Sequence, residues 1–367
     1  MMLVCCVVGA RPNFMKMAPV VAQLRSRGVP HILVHTGQHY DANLSGVFIQ
    51  ELGLPEPDVH LDVGSDTHSR QTARIMVAFE EVCKARRPDL VVVAGDVNST
   101  LAAALAAAKE AIPIAHVEAG LRSFDRTMPE EINRRLTDHL SEMLFTTEES
   151  GNENLRREGV PEDRVHFVGN CMVDTLLSHV EEAEGRRPWR GFGLERGAYA
   201  LLTLHRPSNV DDPGILATVM EGMARVSDSL PVLFPAHPRT RARLAEVGIG
   251  PGGPVTLCDP LPYVQFLGLM AGAGCVLTDS GGIQEETTVL GIPCLTLRHN
   301  TERPVTVARG TNRLVGNDPD EVLRGLADVL AGRWPRGDRP PLWDGRAGER
   351  TVDLIEDRLA SLPTGKG

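Results

Sequence analysis

The sequence predicts an α/β protein made of two doubly wound, Rossmann-like domains. Three observations predict it. Short apolar runs without polar breaks alternate with longer segments of helical periodicity, the rhythm of parallel strands joined by crossover helices. That rhythm stops near a stretch rich in Gly, Arg and Pro and then begins again. The chain has 367 residues, enough for two domains of roughly 100–200 residues each.

The elements follow in order. Residues 2–8 (MLVCCVV) read as a strand buried on both faces, and residues 16–28 carry helical spacing. Residues 31–36 (HILVHT) are a second strand. A long amphipathic helix at 70–86 leads into a strand at 89–94 (DLVVVA), and an Ala-rich helix at 101–111 leads into a strand at 114–117. Strands at 144–146 and 165–168 complete a first sheet. Residues 185–197 read as surface loop near a boundary, and 199–204 (YALLTL) opens a second set. It holds strands at 231–234, 255–257, 275–278 and 293–296, with helices at 214–228, 239–246, 263–271 and 283–290. A last helix is expected at 351–362. Two domains, 1–170 and 171–350, with a ligand cleft between them, are the economical reading.

Composition narrows the function. Apolar residues make up 42% and charged residues 23% of the chain, which supplies an ordinary core. The net charge is −10 and no basic stripe is visible, so nucleic acid is not an expected partner. A local cluster of Arg with a helix N-terminus can still hold an anion. The cysteines Cys5, Cys6, Cys83, Cys171, Cys258, Cys275 and Cys294 are scattered with no CxxC pair, as expected of small buried hydrophobes in a reducing cytosol. The first apolar run lacks the basic flank of a signal peptide, and no stretch approaches the ~20 residues of a membrane span. A cytoplasmic location without a membrane partner is expected, and no metal-ligand cluster appears.

In open α/β sheets ligands bind at the carboxyl ends of strands, so the polar islands after the strands are the candidate sites. In residues 9–16, Arg11 and Lys16 bracket a helix start and could hold a phosphate or carboxylate; the alternative is a turn with two solvated cations. Asp96 follows an apolar strand directly, as a functional carboxylate or as a cap of the next helix. Glu118 lies at a buried strand end, where a carboxylate is costly unless functional or paired, for instance with Arg122. Glu130 and Glu131 sit where a helix dipole favours acids.

The second half repeats the pattern. His205 and Arg206 end one strand and His237 the next, so two histidines stand at matching strand tips, able to move a proton or meet an anion. Residues 278–286 give a strand, then Ser280-Gly281-Gly282, then a helix. The glycines let a phosphate approach the helix amides, and Glu286 one step on can accept both hydroxyls of a ribose. Phosphate plus ribose means a nucleotide. Arg298 and Arg303 add cations near the same place, or form an ionic surface loop.

Together, RPxxxK at 11–16, TGQH at 36–39, GD at 95–96, HVEAGLRS at 116–123, MPEEINRR at 128–135, LHRPSNVD at 204–211, DSGGIQEE at 279–286 and TERP at 301–304 resemble the non-hydrolysing UDP-N-acetylglucosamine 2-epimerases, in order and over nearly the whole chain. The resemblance implies a GT-B arrangement of the two domains, a homodimer, and a C-terminal helix at 351–367 that packs back on the first domain. It implies that Ser280, Gly281, Gly282 and Glu286 hold UDP. It implies a catalytic set of Asp96, Glu118, Glu130 and His205, with Arg11, Lys16 and Arg134 near the substrate. Gln38, His39, Arg70 and Gln71 resemble part of a second UDP-GlcNAc site that activates some bacterial members. One departure is Pro207, where many members carry Arg or Glu; proline removes a side chain and a backbone N–H there.

The implied reaction interconverts UDP-GlcNAc and UDP-ManNAc without redox cofactor or metal. The carbon-2 proton becomes acidic only as the anomeric C–O bond breaks, so UDP leaves to give a 2-acetamidoglucal, and proton and UDP then return. Opposite faces call for two proton-handling groups, with Asp96 and Glu118 the expected pair. The alternatives are an epimerase of a related sugar such as a diacetamido-uronic acid, a hydrolysing epimerase, a GT-B glycosyltransferase, and a non-enzymatic UDP-sugar sensor.

Overall fold

The apolar runs form strands because their side chains are buried on both faces of a parallel sheet. In the computed structural model, which describes residues 2–37, 48–250 and 252–361, Val4–Val8 (β1) is buried throughout and pairs in parallel with His31–His35 (β2) and Leu90–Ala94 (β4). Val59–His60 (β3) extends one edge beside β2. Ile114–Ala119 (β5), Met143–Thr146 (β6) and Val165–Phe167 (β7) extend the other. The strand order is β3-β2-β1-β4-β5-β6-β7. Val7, Val34, Phe79, Val91 and Ala103 form part of the core on one side of this sheet.

A second sheet repeats the scheme. Ala200–Thr203 (β8), Val232–Pro235 (β9), Val255–Cys258 (β10), Cys275–Thr278 (β11), Cys294–Thr296 (β12) and Asn312–Leu314 (β13) run parallel in the order β10-β9-β8-β11-β12-β13. Its core joins Leu202, Leu216, Met223, Phe234, Leu277, Leu326 and Trp334. The fold class expected from the sequence, two doubly wound parallel α/β sheets, is therefore the one observed. The chain divides into one compact unit that runs to Thr175 and resumes at Pro341, and another spanning Leu176–Pro340. The division falls within the helix Cys171–Gly185.

The first helix begins earlier than its periodicity suggests, at Arg11 rather than at 16. Pro12 lies in the first turn, where a missing N–H costs nothing, and the Asn13 side chain accepts a 3.1 Å bond from the Ala10 amide. Lys16 therefore points from within a helix, not from a loop. Two short strands escape the sequence pattern, β3 and β13, as does the helix Pro319–Leu330 that Asp318 caps.

The last helix, Ala347–Ala360, packs against Arg11–Ser26 in the first unit. A Cβ on Gly348 would lie 2.7 Å from Pro19 Cβ, so only glycine permits this approach. Asp174, nearly buried, accepts the Gly348 amide at 2.7 Å. Burial pushes its carboxyl up to about 6, more than these amide bonds lower it. The folded value lies above the unfolded one, so its contribution to stability is fully present below about pH 4 and is lost as pH rises through about 6. Asp174→Asn keeps an acceptor for Gly348. It is expected to be ~1–2 kcal/mol more stable than the parent at pH 8, with the gain gone at pH 4, measured by urea unfolding at both pH values.

Candidate active site

Each sheet reverses its strand order beside its first strand, between β1 and β4 in one unit and between β8 and β11 in the other. Ligand sites of doubly wound sheets form at the carboxyl side of such switch points. The helix carrying Lys16 and the loop carrying Asp96 follow the two switch-point strands of the first unit, and His205 and Ser280 follow those of the second.

In the first unit β1 leads into the helix that carries Lys16, β4 ends before Gly95 and Asp96, and β5 contains Glu118. Lys16 and Glu118 form an ion pair with side chains only 6% and 4% exposed. Burying two charges costs several kcal/mol per ion before their attraction offsets it, a cost that packing alone gives no reason to bear. Glu118 also has φ +70, and the β5–β6 register shifts between Val117 and Ala119. A non-glycine residue in the left-handed region costs roughly 1–3 kcal/mol, and such strain gathers at functional sites. Gly95, at φ +65, leaves room for the lysine: a Cβ there would lie 2.8 Å from Lys16 Nζ.

Asp96 pairs with Arg134. The other Arg134 nitrogen donates to Glu131 at 2.6 Å, and Glu131 also accepts from Ser123 N at 2.8 Å and Ser123 Oγ at 2.9 Å. One carboxylate is thus held by a lysine and the other by an arginine. Two alternatives raised by the sequence meet an answer here. The N-cap position of Asn98–Lys109 is Val97 rather than Asp96. Arg122 does not take Glu118; it pairs with Asp138 and Glu158. Of the two adjacent acids, Glu131 is the buried one engaged by Arg134, while Glu130 stays half-buried on the first turn of Pro129–Leu140. Arg11 lies over the Phe48 ring at 5.6 Å.

In the second unit His205 follows β8 and Asp279 follows β11. His205 Nδ1 meets Asp279 Oδ1 at 2.9 Å, the ring 59% exposed and the carboxylate fully buried. Asp279 further accepts the amides of His205 and Arg206 and the Asn209 side chain. Burial pushes its carboxyl up, but the charge and bond of His205 and these amides outweigh that and hold it below the usual range. With Nδ1 engaged, Nε2 is the ring nitrogen left for a ligand. Ser280, Gly281 and Gly282 open the helix Gly281–Leu290, whose first amides have no partner within the helix. A Cβ on Gly281 would meet Arg303 Nη1 at 3.1 Å. Arg303 bonds Glu285 at 3.1 Å, and Arg298 and Arg206 reach Glu302 at 2.9 and 3.0 Å. These guanidiniums gather at the helix start, where an anion can meet both them and the amides. Glu286 is buried, bonded by Tyr263 Oη at 3.2 Å. Burial, with the nearby Glu285 charge, lifts its carboxyl to about 8. His237 is exposed beyond β9 and accepts the Arg239 amide at 3.4 Å, capping Pro238–Glu246.

Residues 22–356 match the family described as UDP-N-acetylglucosamine 2-epimerase. The chain belongs to the UDP-N-acetylglucosamine 2-epimerase family. It is 41% identical over 358 residues to the UDP-N-acetylglucosamine 2-epimerase of Methanocaldococcus jannaschii, covering 95% of this chain and 97% of that one. It is 39% identical over 355 residues to the UDP-2,3-diacetamido-2,3-dideoxy-D-glucuronate 2-epimerase of Pseudomonas aeruginosa, covering 95% and 98%. The crystal structure of the M. jannaschii UDP-GlcNAc 2-epimerase in complex with UDP-GlcNAc and UDP matches with a TM-score of 0.91 at 40% identity, over 97% of this chain and all of that one.

For the activating site of some 2-epimerases, Gln38 and His39 lie outside the described residues. Arg70 is exposed on its helix, whereas Gln71 is buried. The Gln71 amide donates to Gly64 O at 2.9 Å and its oxygen accepts from Asn98 at 2.8 Å. Asn133 in turn bonds Asn98 at 3.2 Å and the Asp96 carbonyl at 2.9 Å, so Gln71 braces the Asp96 turn. Pro207 opens the short helix Pro207–Val210, where its missing N–H is harmless. Glu131 was read only as a first-turn acid, and Asn98 and Asn133 were not singled out from this 2-epimerase sequence. The fixed spacing of Glu131 and Arg134, three apart on one helix face, was the available signal for the first.

Proposed function

We propose that the protein interconverts UDP-GlcNAc and UDP-ManNAc by reversible elimination and re-addition of UDP. The observation that carries this reading is the buried Lys16–Glu118 pair on strained backbone beside Asp96–Arg134, at the switch point of the first sheet. A carboxylate paired with a buried ammonium is placed to take a proton as positive charge grows on carbon 1. A second carboxylate, on a separate loop, serves the opposite face of carbon 2. In this reading Asp96 and Glu118 handle protons, and Glu130 and His205 orient the substrate or assist departure. Ser280, Gly281 and Gly282 take the diphosphate, with Arg303 behind them, and Glu286 takes the ribose. Lys16, Arg134, Arg11 and His237 contribute charge and hydrogen bonds toward the substrate.

The proposal extends to a cytoplasmic homodimer. No helix among the described residues is long and apolar enough to cross a membrane. Val77, Ile132 and Leu136 are exposed at 61%, 49% and 48% on two helices that both pack against Asn98–Lys109, apolar positions a second copy would cover. Light scattering at twice 39.8 kDa is the expected result.

Incubation with UDP-GlcNAc in heavy water, followed by proton NMR, tests the reaction. UDP-ManNAc with deuterium at carbon 2 of both sugars is expected. Free ManNAc with UDP would make it a hydrolysing enzyme, and no exchange would reject this substrate. A second reading, action on a diacetamido-uronic UDP-sugar, is favoured by the near-equal identity to the P. aeruginosa enzyme. The same assay on that sugar decides it.

A further inference from the structure

Behind the two carboxylates lies a histidine that the proposed chemistry does not use. His116, in β5, is fully buried. Its Nε2 lies 2.8 Å from the Gly95 carbonyl, and its Nδ1 lies 2.7 Å from Asp138 Oδ1. A carbonyl only accepts, so Nε2 must carry a proton. Asp138 accepts on its other oxygen from Arg122 at 2.7 Å and from the Gly120 amide at 3.2 Å. That pattern belongs to an ionised carboxylate, which also only accepts, so Nδ1 must carry a proton as well.

We infer that His116 is held as a doubly protonated imidazolium, a positioning residue that ties the Gly95–Asp96 turn to the strand end carrying Glu118. Its backbone stands two positions before Glu118, and its ring bonds the carbonyl directly before Asp96. The Gly95 amide bonds the Val117 carbonyl at 3.0 Å, so side chain and main chain clamp the two loop ends together. The charge is balanced locally. Asp138 from Pro129–Leu140 faces His116 and Arg122; Glu158 faces Arg122 and also Arg135. Burial pushes Asp138 up, but the bonds and charges of His116 and Arg122 outweigh it and hold that carboxyl below the usual range. A neutral histidine, with one donor, could satisfy only one of its two acceptors and would leave the other buried and unpaired. With both ring nitrogens engaged the imidazolium keeps one geometry, and it places positive charge behind two carboxylates that must trade protons.

The ring charge stands independently of the reaction; the positioning role rests on the epimerase reading. Two measurements separate them. In the 15N-labelled native protein at pH 8, where exchange is assayed, correlation spectra of the His116 ring are expected to show both nitrogens protonated. A single protonated nitrogen at pH 8 overturns the charge assignment. In His116→Gln, which can still donate to Gly95 but carries no charge, kcat for carbon-2 exchange of UDP-GlcNAc is expected to fall about 100-fold, with KM and UDP affinity within threefold. A kcat within threefold of native overturns the positioning role. Should that variant not fold, Asp138→Asn supplies the second test. Its neutral amide is expected to convert His116 to one protonated nitrogen and to lower kcat, and an unchanged ring spectrum overturns the inference. A native protein inactive on every sugar, with the two-proton ring intact, would reject the epimerase reading and leave the charge assignment standing.

Discussion

Replacing Glu118 by glutamine is expected to lower kcat for carbon-2 proton exchange by at least ~1000-fold, within the range general acid–base groups contribute, while UDP binds as before. Glutamine keeps the size of the side chain but cannot take a proton. The change also leaves the Lys16 ammonium buried beside a neutral amide, which costs roughly 3–5 kcal/mol when one partner of a buried pair is removed. Some of that is recovered because the amide oxygen still faces the ammonium. Lost activity from unfolding and from missing chemistry are told apart by a double variant, Lys16→Met with Glu118→Gln. It removes both charges, and it is expected to regain thermal stability without regaining exchange. UDP titration checks the second unit, a separate compact body that holds the residues proposed to bind the nucleotide. Exchange within tenfold of native in folded Glu118→Gln would sink the role of Glu118 as base.

UDP affinity is expected to rise about tenfold between pH 6 and pH 8, a consequence of the proposed ribose contact of Glu286. In the free protein burial holds this carboxyl at about 8, so it is largely protonated at pH 6. Two ribose hydroxyls donate best to the ionised form and pull its value down on binding. Binding therefore releases a proton, and affinity increases with pH until the free group is itself ionised, above about 8. Glu286→Gln should bind more weakly and lose this part of the slope, leaving only the titration of the UDP phosphate. Calorimetry in two buffers of different ionisation enthalpy reads the proton directly. A slope identical in native and variant would show that the carboxyl does not meet the ribose.

The sequence made the layered architecture legible because parallel strands buried on both faces leave continuous apolar runs, and β1, β4 and β11 have them. It hid β3, only two residues long at a sheet edge, and β13, whose residues are partly exposed. Neither carries an apolar run. The start of the first helix was obscured by Pro12, which sits in a permissive first turn. Strand-tip residues such as Asp96, Glu118, His205 and Ser280 stood out because charged or small polar groups interrupt apolar segments. Their pairings did not. Lys16 reaches Glu118, and Arg122 turns to Asp138 and Glu158, because sheet order places β1, β4 and β5 side by side, and sequence distance carries no trace of that. His116 lay in plain view in HVEAGLRS, but its two acceptors belong to β4's turn and a later helix.

The return of Ala347–Ala360 to the first unit bears on how the chain matures during synthesis. The second unit is, in effect, an insertion: the first is begun, interrupted after Thr175, and resumed only at Pro341. A ribosome adding ~5–20 residues per second needs on the order of 10–30 s to make the intervening segment. Through that interval the groove around Pro19 that receives Gly348 stays uncovered, and Asp174 has no Gly348 amide to accept. The inserted unit is thus the first that can finish folding. The unit bearing the two carboxylates closes only once Ala347–Ala360 has been made.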